Sequence, residues 1–254
     1  MENINKVAKV TFAFWIMKIC ATTLGETAGD LLSMTMHVGY AMSSAILISV
    51  FFVVLTIQLT SRKFNPIIYW TVILATSTAG TTMSDFMDRT LKLGYAHGSL
   101  ILVTCLLITL TVWFLSEKSL SVNNIQTHRA EIFYWTAILF SNTLGTALGD
   151  FLADSSGLGF LGGAALIASL IGLVILAKYF TKINPVILFW IAFVLTRPFG
   201  ATFGDLLTKP IQKGGLNFGT IGSSIVLASI LIIIVAYTTI KDKKATPPQI
   251  EEHL

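Results

Sequence analysis

The sequence predicts an all-α membrane protein of eight transmembrane helices, arranged as four two-helix repeats in two pseudo-symmetric halves, with both termini cytoplasmic. Three observations predict it. The 254 residues are 54% hydrophobic and only 12% charged, and the mean hydropathy is +0.77, far above a soluble domain of this size. Long uncharged apolar runs recur along the chain, most near the roughly 20 residues that cross about 30 Å of hydrocarbon. A tryptophan and an aspartate recur four times at one fixed spacing.

Taken in order, the first run covers residues 10–25 and contains Lys18, so it is the least clean by hydropathy alone. Lys6 and Lys9 before it resemble the start of a signal peptide, but cleavage would remove a full copy of the repeat. Further runs lie between residues 36 and 62, 63 and 85, 92 and 117, 131 and 150, 154 and 178, 182 and 197, and 213 and 241. Residues 1–116 form a first half, 117–131 a polar cytoplasmic linker, 132–240 a second half and 241–254 a flexible cytoplasmic tail with Pro247, Pro248, Glu251 and Glu252. If the spans alternate, Lys6, Lys9, Arg62, Lys63, Lys118, Arg129, Lys178, Lys182, Lys241, Lys243 and Lys244 share one side. Arg89, Lys92, Lys209 and Lys213 take the other, and the excess marks the cytoplasm. This bias accounts for the net charge of +4 and leaves nucleic-acid binding unsupported. Cys20 and Cys105 fall inside spans and read as small apolar residues rather than a disulfide.

Trp15, Trp70, Trp135 and Trp190 each stand 15 residues before Asp30, Asp85, Asp150 and Asp205. Gly25, Gly80, Gly145 and Gly200 lie five residues before those aspartates. Gly39-Tyr40, Gly94-Tyr95, Gly159-Phe160 and the looser Asn217-Phe218 open the second helix of each unit, with about three extra residues in the fourth. Trp15 to Trp70 and Trp135 to Trp190 are 55 residues apart, and Trp70 to Trp135 is 65, the excess being the linker. Asn65-Pro66 and Asn184-Pro185 mark the second and fourth repeats alike, so two duplications of one unit explain the chain. Two spans per unit give all four the same orientation, unlike inverted-repeat transporters. The pattern, from Trp15 to about Tyr237, resembles a family of bacterial inner-membrane proteins built from four tandem two-helix repeats of unknown function. The resemblance implies the architecture and a multi-pass inner-membrane location; it implies no substrate.

Counting from each tryptophan, position +7 reads Thr22, Ser77, Asn142, Arg197; position +8 reads Thr23, Thr78, Thr143, Pro198; position +11 reads Glu26, Thr81, Thr146, Ala201. At about 100° per residue these positions and the aspartate at +15 share a face about 100° wide. The second helices are apolar almost all round and suit contact with lipid. A charge in hydrocarbon costs at least about 2.5–3.5 kcal/mol on insertion scales, so the four seams should converge on a central cavity lined by hydroxyls and carboxylates. Small residues and hydroxyls are also common packing glue between membrane helices. The acidic set in register, joined by Glu26, Asp88 and Asp154, is harder to explain that way. The tryptophans read as packing or interface anchors.

Carboxylates, hydroxyls and one amide are hard ligands, and no seam position is histidine or cysteine, which favours Mn²⁺, Mg²⁺ or Ca²⁺. The expected metal ligands are Glu26, Asp30, Asp85, Asp150 and Asp205, with Asn142, Thr23, Thr78 and Thr143 lining the path. Lys18 and Arg197 are expected to pair with Glu26 or an aspartate and to act in gating. Met34, Met36 and His37 offer a softer entry site. The sequence holds no phosphate-binding loop, metalloprotease motif or catalytic triad in recognisable context. The reading is a transporter of a divalent, manganese-like cation, directed to efflux, open to proton coupling, with no resident cofactor. A passive channel, a carrier of small organic cations and an intramembrane enzyme on a lipid-like substrate are the alternatives. The lipid bilayer is the expected environment, and a homo-oligomer is compatible with the sequence.

Overall fold

The computed structural model describes residues 6–61, 63–122, 125 and 127–245. They form eight α-helices, and no strand occurs among the described residues: α1 (Phe12–Asp30), α2 (Tyr40–Thr60), α3 (Pro66–Asp85), α4 (Gly94–Glu117), α5 (His128–Asp150), α6 (Gly159–Phe180), α7 (Pro185–Thr208) and α8 (Thr220–Ala245). α5 takes up the end of the stretch expected as linker, and α8 extends into the expected tail, whose residues 246–254 lie outside the described residues.

Helix starts follow from side-chain chemistry. Thr11 and Thr127 cap α1 and α5 by accepting from the amides of Phe14 and Ala130. Asn65 and Asn184 cap α3 and α7, each followed by proline at the first helical position, where its missing N–H costs nothing. Beyond Asp30, Asp85 and Asp150 the chain widens into π-helical turns, Leu31–Thr35, Phe86–Thr90 and Phe151–Ser155. α7 instead continues to Thr208. Gly39, Gly94, Gly159 and Gly219 then adopt positive φ where the next helix begins. The fourth counterpart is therefore Gly219, not the Asn217-Phe218 expected from the sequence. It stands fourteen residues after its aspartate rather than nine, an insertion of five residues instead of about three.

α1, α3, α5 and α7 pack in that cyclic order, each against the next and α7 against α1. α2 docks on α3, α4 on α5, α6 on α7, and α8 returns to α1. Each outer helix thus leans on the inner helix of the following repeat, and the last closes the circle on the first. Five helices are long and apolar enough to cross a membrane: α2, α4, α6, α7 and Thr220–Lys241 of α8. α7 is 56% buried over its most apolar window, against 17–28% for the four outer helices, which separates an inner ring from an outer one. α1, α3 and α5 carry the polar seam and fall outside that apolar set.

Close approach in the ring rests on a glycine at +10 of every repeat, joined one turn later by Gly29, Gly149 and Gly204. A Cβ on Gly25 would overlap Ser77, one on Gly145 would overlap Arg197, one on Gly80 would sit 3.0 Å from Asn142 backbone, and one on Gly200 would sit 2.6 Å from the Thr22 hydroxyl. The glycine at +10 of each repeat therefore receives the seam residue at +7 of the next.

An aromatic layer closes the ring near the helix starts. The residue before each tryptophan is also aromatic, and it meets the tryptophan of the next repeat: Phe14 with Trp70 at 5.6 Å between ring centres, Tyr69 with Trp135 at 5.5 Å, Tyr134 with Trp190 at 6.5 Å, and Phe189 with Trp15 at 5.7 Å. The Tyr69 and Tyr134 hydroxyls lie 2.6 Å apart. The tryptophans pack around the axis in a cycle.

Replacing Gly25 by valine should force α1 from α3 and destabilise the protein by about 1–3 kcal/mol or more. Gly172→Ala, on an outer helix with open space around it, should stay within about 0.5 kcal/mol. Unfolding of the detergent-purified variants reads both; equal effects would contradict the ring packing.

Candidate metal centre

Three polar layers follow the aromatic one. In the first, Lys18 is fully buried, its ammonium donates to Asn142 Oδ1 at 3.3 Å, and it lies 4.0 Å from the centre of the Phe193 ring. Asn142 in turn donates to Thr76 Oγ1 at 2.8 Å and Ser77 Oγ at 3.3 Å. The carboxylate partner expected for Lys18 is not there: among the described residues it joins no ion pair. An amide oxygen and an aromatic face meet its amino group instead.

The second layer centres on Arg197, also fully buried. Its guanidinium donates to Glu26 Oε2 at 3.0 Å, Thr81 Oγ1 at 2.5 Å, Thr146 Oγ1 at 2.7 Å and the Ser77 carbonyl at 3.2 Å. Glu26 Oε2 lies 3.3 Å from the Thr81 hydroxyl and 3.4 Å from that of Thr146. One arginine on α7 thus ties α1, α3 and α5 together, on the axis where the sequence predicts an open chamber. Of the two threonine rows, only +11 joins this network. Thr23, Thr78 and Thr143 at +8, expected to line the path, bond back to the carbonyls of Ile19, Leu74 and Leu139 on their own helices, a local partner that short hydroxyl side chains readily take.

The third layer holds the repeat aspartates. All four turn inward and are at most 4% exposed. They do not form one ring of five carboxylates with Glu26. Lys209 binds Asp30 at 2.5 Å and its own-repeat Asp205 at 3.0 Å. Arg89 binds its own-repeat Asp85 at 2.7 Å and Asp150 at 2.9 Å, with Asp154 at 3.9 Å. Tyr95 donates to Asp154 at 3.0 Å, and Ser84 to Asp88 at 3.3 Å. The two sets are related by a pseudo-two-fold axis: the second and fourth repeats each supply a base four residues after the aspartate, and that base reaches the aspartate of the following repeat. The sequence reading placed Arg89 and Lys209 only as outer-side charges. Their shared position, +19 from the tryptophan, was the signal.

The halves differ where it matters for a cation. Glu26, Asp30 and Asp205 bring carboxylate oxygens within 4.8 Å of one another, all buried. In the other half Thr146 stands in place of Glu26, and an arginine replaces the lysine. Glu26, Asp30 and Asp205 could hold a hard divalent cation: Asp30 and Asp205 are bridged by a lysine and Glu26 is held by the Arg197 guanidinium through Oε2, whereas Asp85 and Asp150 share the Arg89 guanidinium. Burial works against the Lys209 ammonium, but Asp205 and Asp30 outweigh it and raise its pKa above the ordinary lysine value. Met34 Sδ lies 3.9 Å from the same ammonium, which puts one residue of the expected softer entry site beside the carboxylates.

Arg197→Met should cost about 3–5 kcal/mol, because Glu26 is then buried unpaired, and the Glu26→Gln/Arg197→Met double variant should recover most of that loss. Equilibrium unfolding of the three variants measures it; strictly additive losses would contradict the pairing.

No curated protein and no solved structure matches the chain. The family described as Repeat of Unknown Function (DUF347) matches residues 13–64, 68–119, 133–184 and 188–244, one match for each tryptophan–aspartate unit. The chain belongs to this repeat family.

Proposed function

We propose that the protein crosses the bacterial inner membrane eight times, its four units in one orientation and its termini cytoplasmic, and that it transports a divalent, manganese-like cation out of the cell. The single observation that carries this reading is the buried convergence of Glu26, Asp30 and Asp205 with a lysine ammonium between two of them. Stability gives little reason to keep such a group: buried ion pairs replaced by well-packed apolar residues are often neutral or better. Ionisable residues within membrane spans are by default functional.

Lys209 serves as a tethered cation. An arriving metal ion displaces the ammonium from Asp30 and Asp205, and when the ion leaves, Lys209 returns and the carboxylates are never left bare. Three carboxylates favour a hard ion, and the Met34 thioether at the rim favours manganese over magnesium or calcium. Arg197 across the axis favours a carrier, which opens stepwise, over a continuously open channel. Release of the ion by protons arriving at the same carboxylates would couple export to a proton gradient.

The test is Mn²⁺ uptake into vesicles holding the purified protein and a metal-sensitive dye. Uptake should saturate, and Asp205→Asn or Glu26→Gln should lower it at least about tenfold, the loss of roughly one charged interaction worth 1.4 kcal/mol or more. Flux unaffected by either substitution, or no flux above empty vesicles for Mn²⁺, Mg²⁺ and Ca²⁺, would overturn the proposal.

A further inference from the structure

We infer that the C-terminal part of α7, residues 199–208, is a gate that pivots at Pro198, with Arg197 the positioning residue that holds it shut. The inference deepens the transport reading and rests on it for its purpose, but the movement is measurable without any metal.

Two adjacent residues single out this segment among the inner helices. Pro198 lies inside α7, where it has no N–H to offer the carbonyl one turn back and its ring crowds that turn. At the same position α1, α3 and α5 carry threonine. The residue before the pivot is Arg197, so the side chain that ties all four inner helices sits on the hinge itself and its bonds are the first that a swing of α7 disturbs.

The surface that the segment presents is smooth. Gly200 faces Thr22 and Gly204 faces Glu26, the latter so closely that a Cβ would sit 2.9 Å from the Glu26 Cβ; such a face slides without interlocking side chains. At the hinge Arg197 bonds Glu26 and the Thr22 carbonyl, and the Thr22 hydroxyl donates to the Thr196 carbonyl; along residues 199–208 and beyond, the ion pair to α1 among the described residues is Lys209 with Asp30. The pseudo-symmetric interface, α3 with α5, is bolted at both ends and in the middle: by Tyr69 with Tyr134, by Asn142 with Thr76 and Ser77, and by Arg89 with Asp85 and Asp150.

The end of the segment is built differently, and it carries its connection with it: the amides of Leu216, Phe218 and Asn217 donate back to the carbonyls of Leu206, Leu207 and Lys209. α1, α3 and α5 run into π-helical turns that lead directly to the outer helix, whereas α7 ends at Thr208 and is followed by a longer connection with a short 3-10 turn, Ile211–Lys213. Opening at α1/α7 exposes Glu26, Asp30 and Asp205 together, since two of them lie on one side of the moving interface and the third on the other.

Thr202 and Thr82 are pseudo-symmetry mates, both fully buried and both bonded to carbonyls of their own helix. In a background with Cys20→Ala and Cys105→Ala, a single cysteine is placed by Thr202→Cys or by Thr82→Cys, and its reaction with N-ethylmaleimide is followed in vesicles without added metal. Releasing a latch by Lys209→Gln, or by Arg197→Gln as a second variant, should speed labelling at 202 by about tenfold or more, as for a local opening, and leave 82 slow. Adding Pro198→Ala should remove most of that gain. Equal gains at both cysteines, no gain at either with both latch variants, or a gain at 202 that Pro198→Ala leaves intact would overturn the hinge. Vesicle flux judges the transport reading separately, so the two can fail independently.

Discussion

A buried charge must have a partner, and that constraint organises the molecule. Water satisfies charged side chains at the surface of a soluble protein; in the middle of this ring only other side chains can do so. Arg197 and Glu26 meet there, and the hydroxyls of Thr81 and Thr146 complete the set. For those groups to reach one another the four inner helices must approach closely, hence the glycine facing each seam residue. The outer helices need no such partners and are apolar almost throughout.

Repetition builds the scaffold, and departures from it carry the chemistry. The cycle of aromatic pairs and the glycine contacts repeat four times around the ring. The base after the aspartate repeats only twice, as Arg89 and Lys209. Glu26, Lys18, Arg197 and Pro198 occur once each at their positions. Each step down in symmetry removes equivalence between the carboxylates, until Asp30 and Asp205 are held by a lysine and Asp85 and Asp150 by an arginine. An arginine fork makes a fixed, bidentate clamp, while a lysine is a compact point charge on a flexible stem. The side with the lysine is the side suited to exchange.

Much of this was legible in the residues. The tryptophan–aspartate spacing gave the four units, Asn-Pro gave the paired starts of α3 and α7, and the polar face gave the inward direction of Glu26 and the four aspartates. Other features were not. A face about 100° wide contains both +8 and +11, and spacing alone does not say that Thr23 bonds back to its own helix while Thr81 reaches across the axis. The docking of each outer helix on the following repeat depends on ring closure, which no local pattern encodes. Arg197 as the plug of the axis, rather than one side of an open chamber, follows from the length of its side chain and from the bare backbone of Gly145 beside it. The partners of the aspartates were missed because Arg89 and Lys209 read equally well as solvated charges outside the span.

The most direct test of the account is anomalous diffraction from crystals of the protein grown with Mn²⁺. The account predicts one strong peak in contact with the carboxylates of Glu26, Asp30 and Asp205, with the Lys209 ammonium moved away from Asp30. A protein that carries Mn²⁺ across vesicles yet shows its metal only at the surface, or between Asp85 and Asp150 with Arg89 displaced, would contradict it.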